Sequence, residues 1–188
     1  MSKVLKQSKA VLVTALMYND YNDIDIYNSV LEKLIYNFGE IEVISDEYLF
    51  SHSAYYKEEM GESLNKRFIV FKNMIERDYI SDVKKITDSI EKEYSDENNN
   101  RKINIDPAIL TLENFILVTN KNFTHRIYLK DGVFADLTLI YKKKKGYTEL
   151  EWTYADYSSD ETKKFLNKIR ELFYNRLIES SPFGSNWK

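Results

Sequence analysis

Only two imidazoles occur in the 188-residue chain, His52 and His125, and there is no cysteine. His125 stands next to Arg126, and both lie in the run NFTHRIYLKDGVFADLTLIY (Asn122 to Tyr141), which also holds Asp136. A histidine beside a carboxylate is the pairing that general acid/base chemistry uses, and an arginine fork suits a phosphate or carboxylate group. Asp131-Gly132 predicts a type I′ turn between two strands. In that register Leu129 faces Phe134, Ile127 faces Asp136 and His125 faces Thr138. His125 and Asp136 are then diagonal neighbours on one face, and Arg126 points to the other beside Leu137. The carboxylate would orient the ring and favour its charged form, as a general acid/base or an anion-binding imidazolium needs. The alternative is an ordinary cross-strand polar pair for His125 and Asp136, and a surface ion pair for Arg126. A one-residue slip would part the histidine from the aspartate.

Three other clusters have chemical potential. The loop Ser51 to Gly61 gathers His52, Tyr55, Tyr56, Glu58 and Glu59, a mixture suited to a polar ligand or to a packed loop. Trp152, Tyr154, Asp156 and Tyr157 form an aromatic and acidic run that can stack a base or sugar ring, or serve as core leading into the last helix. Lys142 to Lys145 is a basic turn that could touch phosphates by charge or be a solvated tip. Asp20, Asp23 and Asp25 lack the glycine and closing glutamate of a calcium loop and read as helix-capping residues, so no metal site is expected.

Several chemistries are excluded. Without cysteine there is no thiolate nucleophile, disulfide, zinc ribbon or iron–sulfur cluster. The five glycines, at 39, 61, 132, 146 and 184, are too far apart for a P-loop or a Rossmann phosphate loop. Neither a Gly-x-Ser-x-Gly elbow nor a His-Glu-x-x-His pair is present. The net charge of −3 argues against a chain whose whole surface is a nucleic-acid footprint. The apolar run Ala10 to Met17 follows three lysines but leads into Tyr-Asn-Asp without a small-residue cleavage site. It is also far short of the ~20 residues of a membrane span, so a cytoplasmic protein with no membrane contact is expected.

The elements that must position these residues follow from apolar periodicity. Lys9 to Tyr18 predicts a central strand buried on both faces. Ile26, Val30, Leu31, Leu34, Ile35 and Phe38 predict a helix capped at Asp23 or Asp25 and stopped at Gly39. Glu40 to Phe50 and Arg67 to Lys72 read as strands, Ile80 to Tyr94 as a helix, and Lys102 to Ile105 as a strand broken by Asp106-Pro107. This βαββαβ order predicts an α+β, ferredoxin-like core. The core is extended by an apolar segment, Ile109 to Val118, and by the hairpin region. A strand over Glu149 to Tyr154 and a final helix complete it, with Ser158 and Glu161 as the helix's capping box. A chain of this length buries roughly 70% of its unfolded surface in one core, so residues 1–179 are expected as a single domain and 180–188 as a flexible tail.

Four stretches together resemble a bacterial and archaeal family catalogued as domain of unknown function 4416. They are Phe50, Ser53, Tyr55, Tyr56 and Glu59-Met60-Gly61; Asn104 to Pro107 with Leu110-Thr111; His125 to Leu129 through Asp131-Gly132 to Thr138-Leu139; and Trp152 to Tyr157. Ser53 stands where the family tends to Thr, Ala108 where it tends to Gly, Ala155 where it tends to Pro, and Asp136 where Glu is usual. Members are sometimes labelled GTP-binding, but the resemblance brings no established activity, and a chain with no P-loop has no physical basis for that label.

The expected function is binding of an anionic small molecule or nucleotide in a pocket between the sheet and the C-terminal hairpin. Tyr55, Tyr56, Glu59, Arg126, Trp152 and Tyr154 are the candidate ligand contacts, with no cofactor assigned. A second expectation is an enzyme with His125 and Asp136 as acid/base on a phosphorylated or nucleotide substrate. A third, disfavoured by the acidic balance, is an RNA-associated domain.

Overall fold

The computed structural model of the chain describes residues 7–19, 24–50, 56, 59–61 and 63–179. Its centre is β1 (Ala10–Asn19), AVLVTALMYN, in which every residue is buried. A run this apolar can only sit between two strands and two covered faces. Its neighbours are β4 (Leu64–Ile75) and β5 (Ile103–Leu110), both antiparallel to it. β2 (Ile41–Ile44) and β3 (Tyr48–Leu49) pair with β4, and β6 (Asn114–Thr119) pairs with β5. Beyond it lie β8 (Val133–Lys142), then β7 (Arg126–Lys130) and β9 (Gly146–Glu149). The result is one nine-stranded antiparallel sheet of order β2-β4-β1-β5-β6-β8-β7, with β3 beside β4 and β9 beside β8. The fold is α+β.

Helices cover both faces. α1 (Ile24–Phe38) turns Tyr27, Val30, Leu34 and Phe38 to the sheet, at the three- and four-residue steps of a helical stripe. It ends at Gly39, whose φ of +91° is one that L side chains rarely adopt. α2 (Ile80–Glu93) follows a 3-10 turn at Arg77–Tyr79 and adds Ile80, Val83 and Ile90 to the same core. The opposite face is covered by α4 (Asp160–Glu179) through Leu166, Ile169 and Phe173, with the short α3 (Ala155–Ser158) ahead of it.

Several expectations are corrected. Glu40 to Phe50 is two short strands, because the chain leaves the β4 edge between Ile44 and Tyr48. Pro107 does not break β5. The N–H of Ile105 points away from β1, to Glu91 Oε1 at 2.5 Å, so the Pro107 nitrogen two residues on also faces away from β1. On that side β6 pairs only from Ala108 onward, and no ladder bond is lost. The segment after Glu149 is a turn, with Thr153 N donating to Leu150 O, and the last strand is Gly146–Glu149 instead. The cap of α4 is Ser159, whose Oγ accepts from Thr162 N at 3.2 Å, while Ser158 Oγ donates to Ala155 O. The candidates His52, Tyr55, Asp20 and Asp23 and the tail 180–188 lie outside the described residues.

Candidate functional site

The α4 face of the sheet is apolar in its middle and charged at one end. Along β4 the inward positions run Leu64, Lys66, Phe68, Val70, and along β5 Asn104, Asp106, Ala108, Leu110. Lys66 and Asp106 therefore occupy core-facing phases of two strands that flank β1. Further across, Ala108, Leu117, Asp136 and Arg126 lie in one lateral row over β5, β6, β8 and β7. β5 and β6 pair only over Ala108 to Leu110 with Phe115 to Leu117, and then part. Where they part, a cavity of about 310 Å³ opens between Asp106 on one strand and Leu117 and Val118 on the other.

The roof of this cavity is Tyr154 to Tyr157, and β8 fixes its position. Trp152 Nε1 donates to Leu137 O at 2.9 Å, Thr153 Oγ1 to Thr138 O at 2.6 Å, and Leu150 N to Thr153 Oγ1 at 2.8 Å. This turn delivers Asp156 to Lys66, with Nζ to Oδ2 at 2.6 Å and side chains only 4% and 5% exposed. The Lys66 ammonium also lies 4.6 Å from the Tyr157 ring centre and 5.2 Å from that of Phe50. Phe50 and Tyr56, edge to face at 5.8 Å, close the remaining wall.

Asp136, 3% exposed, is the focus of the hairpin. Its Oδ2 accepts from Arg126 Nε at 2.9 Å and lies 3.2 Å from His125 Nε2. The other two guanidinium nitrogens donate to Lys121 O at 2.9 Å and to the Tyr154 hydroxyl at 2.7 Å. Arg126 thus ties together β7, β8, the preceding loop and the cavity roof. His125 stacks on Trp152 at 5.0 Å with 11° between the planes, and meets the edge of Phe123.

The register differs from the one expected. Lys130 pairs with Val133, as a two-residue turn requires, but a bulge at Leu129 shifts the rest, so Arg126 and not Ile127 faces Asp136. His125 precedes the strand in a turn, with Arg126 N donating to Phe123 O, so strand alternation does not fix its direction. His125 and Arg126, expected on opposite faces, converge on one carboxylate oxygen.

Of the other candidates, Tyr56 and Tyr154 line the cavity. Trp152 lies outside it as the partner of His125, and neither His125 nor Arg126 is in its lining. Glu59 grips Arg101 through two bonds of 2.7 and 2.8 Å, and this holds its carboxyl below the usual range. Through that clamp the segment ending at Gly61 is tied to the start of β5. Lys142 to Lys145 form an exposed turn. Among the described residues no group of three or more His, Asp or Glu side chains is placed to hold a metal ion.

Lys66 and Asp106 are not among the candidates read from the sequence, and for Asp156 and Tyr157 core is one of two readings. A signal existed for the first two: each is a charged residue in phase with apolar neighbours on a strand. Among the described residues Asp106 accepts only from the neutral Asn104 Nδ2, at 2.8 Å. Tyr157 is 2% exposed and its hydroxyl has no hydrogen-bond partner among the described residues. Burial raises its pKa well above the usual tyrosine value, with the charges of Asp106 and Asp156 adding to the effect.

The chain matches the model of the family described as Domain of unknown function (DUF4416) over residues 8–173, and it belongs to that family. No curated protein and no solved structure matches it.

Proposed function

We propose that this family member binds a small polar molecule in the cavity under Tyr154 to Tyr157. One observation carries the reading. The cavity of about 310 Å³, at the small end of the ligand-site range, is walled by charged side chains of a sheet face that is otherwise apolar. Tyr157 is buried with its hydroxyl unpaired, which carries a cost, and the half-buried Asp106 is bonded among the described residues only to the Asn104 amide, so a ligand that completes their bonds is stabilised there. The expected anionic or nucleotide ligand needs a cation to meet it. Lys66 and Arg126 are already bonded to aspartates, and Arg101, whose guanidinium lies over the Tyr56 ring, is bonded to Glu59. The proposal therefore keeps the pocket and does not require negative charge on the ligand.

The test is thermal-shift screening of a metabolite library against the wild-type chain and Ala155→Trp, which fills the cavity from its rim. A ligand present at a hundred times its Kd should raise Tm by roughly 5–10 °C in the wild type and much less in the variant. A library with no hit, or hits indifferent to Ala155→Trp, would refute the reading.

A second reading, an enzyme, is favoured by the 3.2 Å contact of His125 with Asp136, which lines the cavity. In it Asp136, held by His125 and Arg126, presents its second oxygen to a substrate as the base. Turnover lost in Asp136→Asn with ligand binding retained would support it. An RNA-associated role would have to use the exposed Lys142 to Lys145 turn, against a net charge of −3.

The chain order β1-α1-β2-β4-α2-β5 with spatial order β2-β4-β1-β5 supports reading this half as a ferredoxin-like unit, to which β6 to β9, α3 and α4 are added. No described helix is long and apolar enough to cross a membrane, which accords with the proposed cytoplasmic location.

A further inference from the structure

We infer that the cavity takes a small organic cation, an amine with a neighbouring hydroxyl or carbonyl oxygen. The inference rests on the small-molecule reading above and narrows its ligand class. Three carboxylates line the cavity, Asp106, Asp136 and Asp156, against a single lining cation, Lys66. Asp156 is neutralised by Lys66 and Asp136 by Arg126 behind it. Asp106 has no cationic contact among the described residues, only the amide of Asn104. An ammonium group placed against Asp106 would supply the missing charge. An anion there would meet the like charge of the half-buried Asp106.

Lys66 itself shows how these walls treat an amine. Its ammonium is held by one carboxylate and two aromatic faces, Tyr157 and Phe50. The remaining lining repeats those components, with Asp106 and the ring of Tyr154, while the Tyr56 ring already carries the Arg101 guanidinium at 5.7 Å. The second requirement comes from Tyr157, a lining residue that is 2% exposed and has no partner for its hydroxyl. Burial and the charge of Asp106 keep that hydroxyl protonated, so it is a donor in need of an acceptor. A ligand carrying both the cation and an adjacent oxygen completes both groups at once. A plain alcohol satisfies only the tyrosine.

The test uses matched probes on the full chain by titration calorimetry: 2-amino-2-deoxyglucose against glucose and glucose 6-phosphate, and 1,4-diaminobutane against 1,4-butanediol. Each amine is expected to bind at least about tenfold more tightly than its neutral counterpart, an advantage that Asp106→Asn removes. Tyr157→Phe should weaken the aminosugar more than the diamine, which offers no oxygen. Ala155→Trp should abolish both. If a neutral or phosphorylated probe binds as tightly as its amine and Ala155→Trp blocks it, the cavity reading stands and the cation inference is overturned. If no probe binds while the library yields a neutral or anionic ligand, the inference again falls alone. Silence from probes and library together removes both.

Discussion

The two faces of the sheet are built from the same strands but serve different ends. Under α1 and α2 the sheet residues are mostly apolar, with Leu12, Leu16, Ile69, Phe71, Ile103 and Ile105 meeting Val30, Leu34 and Val83, and the polar groups buried with them include Thr14 on β1 and Lys84, Thr87 and Glu91 on α2. Under α4 the middle is equally apolar, with Val13, Val70, Ala108 and Phe173, but one end carries Lys66, Asp106 and Asp136 and meets Asp156. Both faces contribute stability by apolar burial and both withdraw some charge from water at a cost. Under α4 the buried charges gather around a cavity, whereas Lys84 and Glu91 under α2 are bonded within the fold, to Asp88 and to Ile105 N. Charge withdrawn from water around a cavity points to that end as the place of function.

This contrast can be broken by experiment. The largest effect is expected on the apolar face: Phe71→Ala, at a fully buried ring packed edge-on against Phe38, should lose about 3–5 kcal/mol by urea unfolding. On the polar end Asp156→Asn leaves Lys66 buried without its counter-charge and should lose about 3 kcal/mol, whereas Lys66→Met with Asp156→Leu should recover most of it. If the double substitution were as damaging as the single one, the ion pair would be a stabilising feature and the contrast would fail.

A subtler effect is pH dependence at Glu91, whose carboxyl burial pushes up to about 7. Its folded value lies above the ordinary one, so between about pH 4.5 and 7 the folded chain binds the extra proton. Stability from this group is then full below that window and declines as pH rises through it, by of order 3 kcal/mol in total. Glu91→Gln should flatten that slope in denaturation curves taken across the window. The smallest effect is expected of Asp106→Asn, within about 0.5 kcal/mol of wild type or slightly stabilising, because no cationic partner is lost. A large loss of stability there would make Asp106 a structural group.

The fold was legible where period and punctuation agreed. β1, α1 and α2 follow their apolar patterns to within a residue or two, and Gly39 ends α1 as expected. It was obscured where tertiary context overrode a local rule. Pro107 reads as a breaker until the neighbouring strand is known to be absent on its nitrogen side, and Leu129 gives no local sign that it will bulge. The site was half legible. His125 and Asp136 were paired from the turn, but by a register that the bulge replaces. Lys66 lies just outside the strand-forming run Arg67 to Lys72, so that run alone does not mark its inward phase, and the place of Asp106 before a proline masks its strand position. Asp156 meets Lys66 across 90 residues of sequence, a contact no local pattern can announce.

The side chain of Glu91, bonded to the Ile105 N–H from α2, has a wider meaning. A sheet that parts in its interior would ordinarily expose two new edges, each with backbone groups open to another chain. Here one helix carboxylate takes the place of an absent strand, and a proline leaves the next position with nothing to donate. The β5 side of the gap is thus guarded against adhesion, so this architecture can house a chamber in the middle of a wide sheet instead of at its rim. A substitution such as Glu91→Ala would then be felt first as stickiness, through association at a seam that is normally sealed.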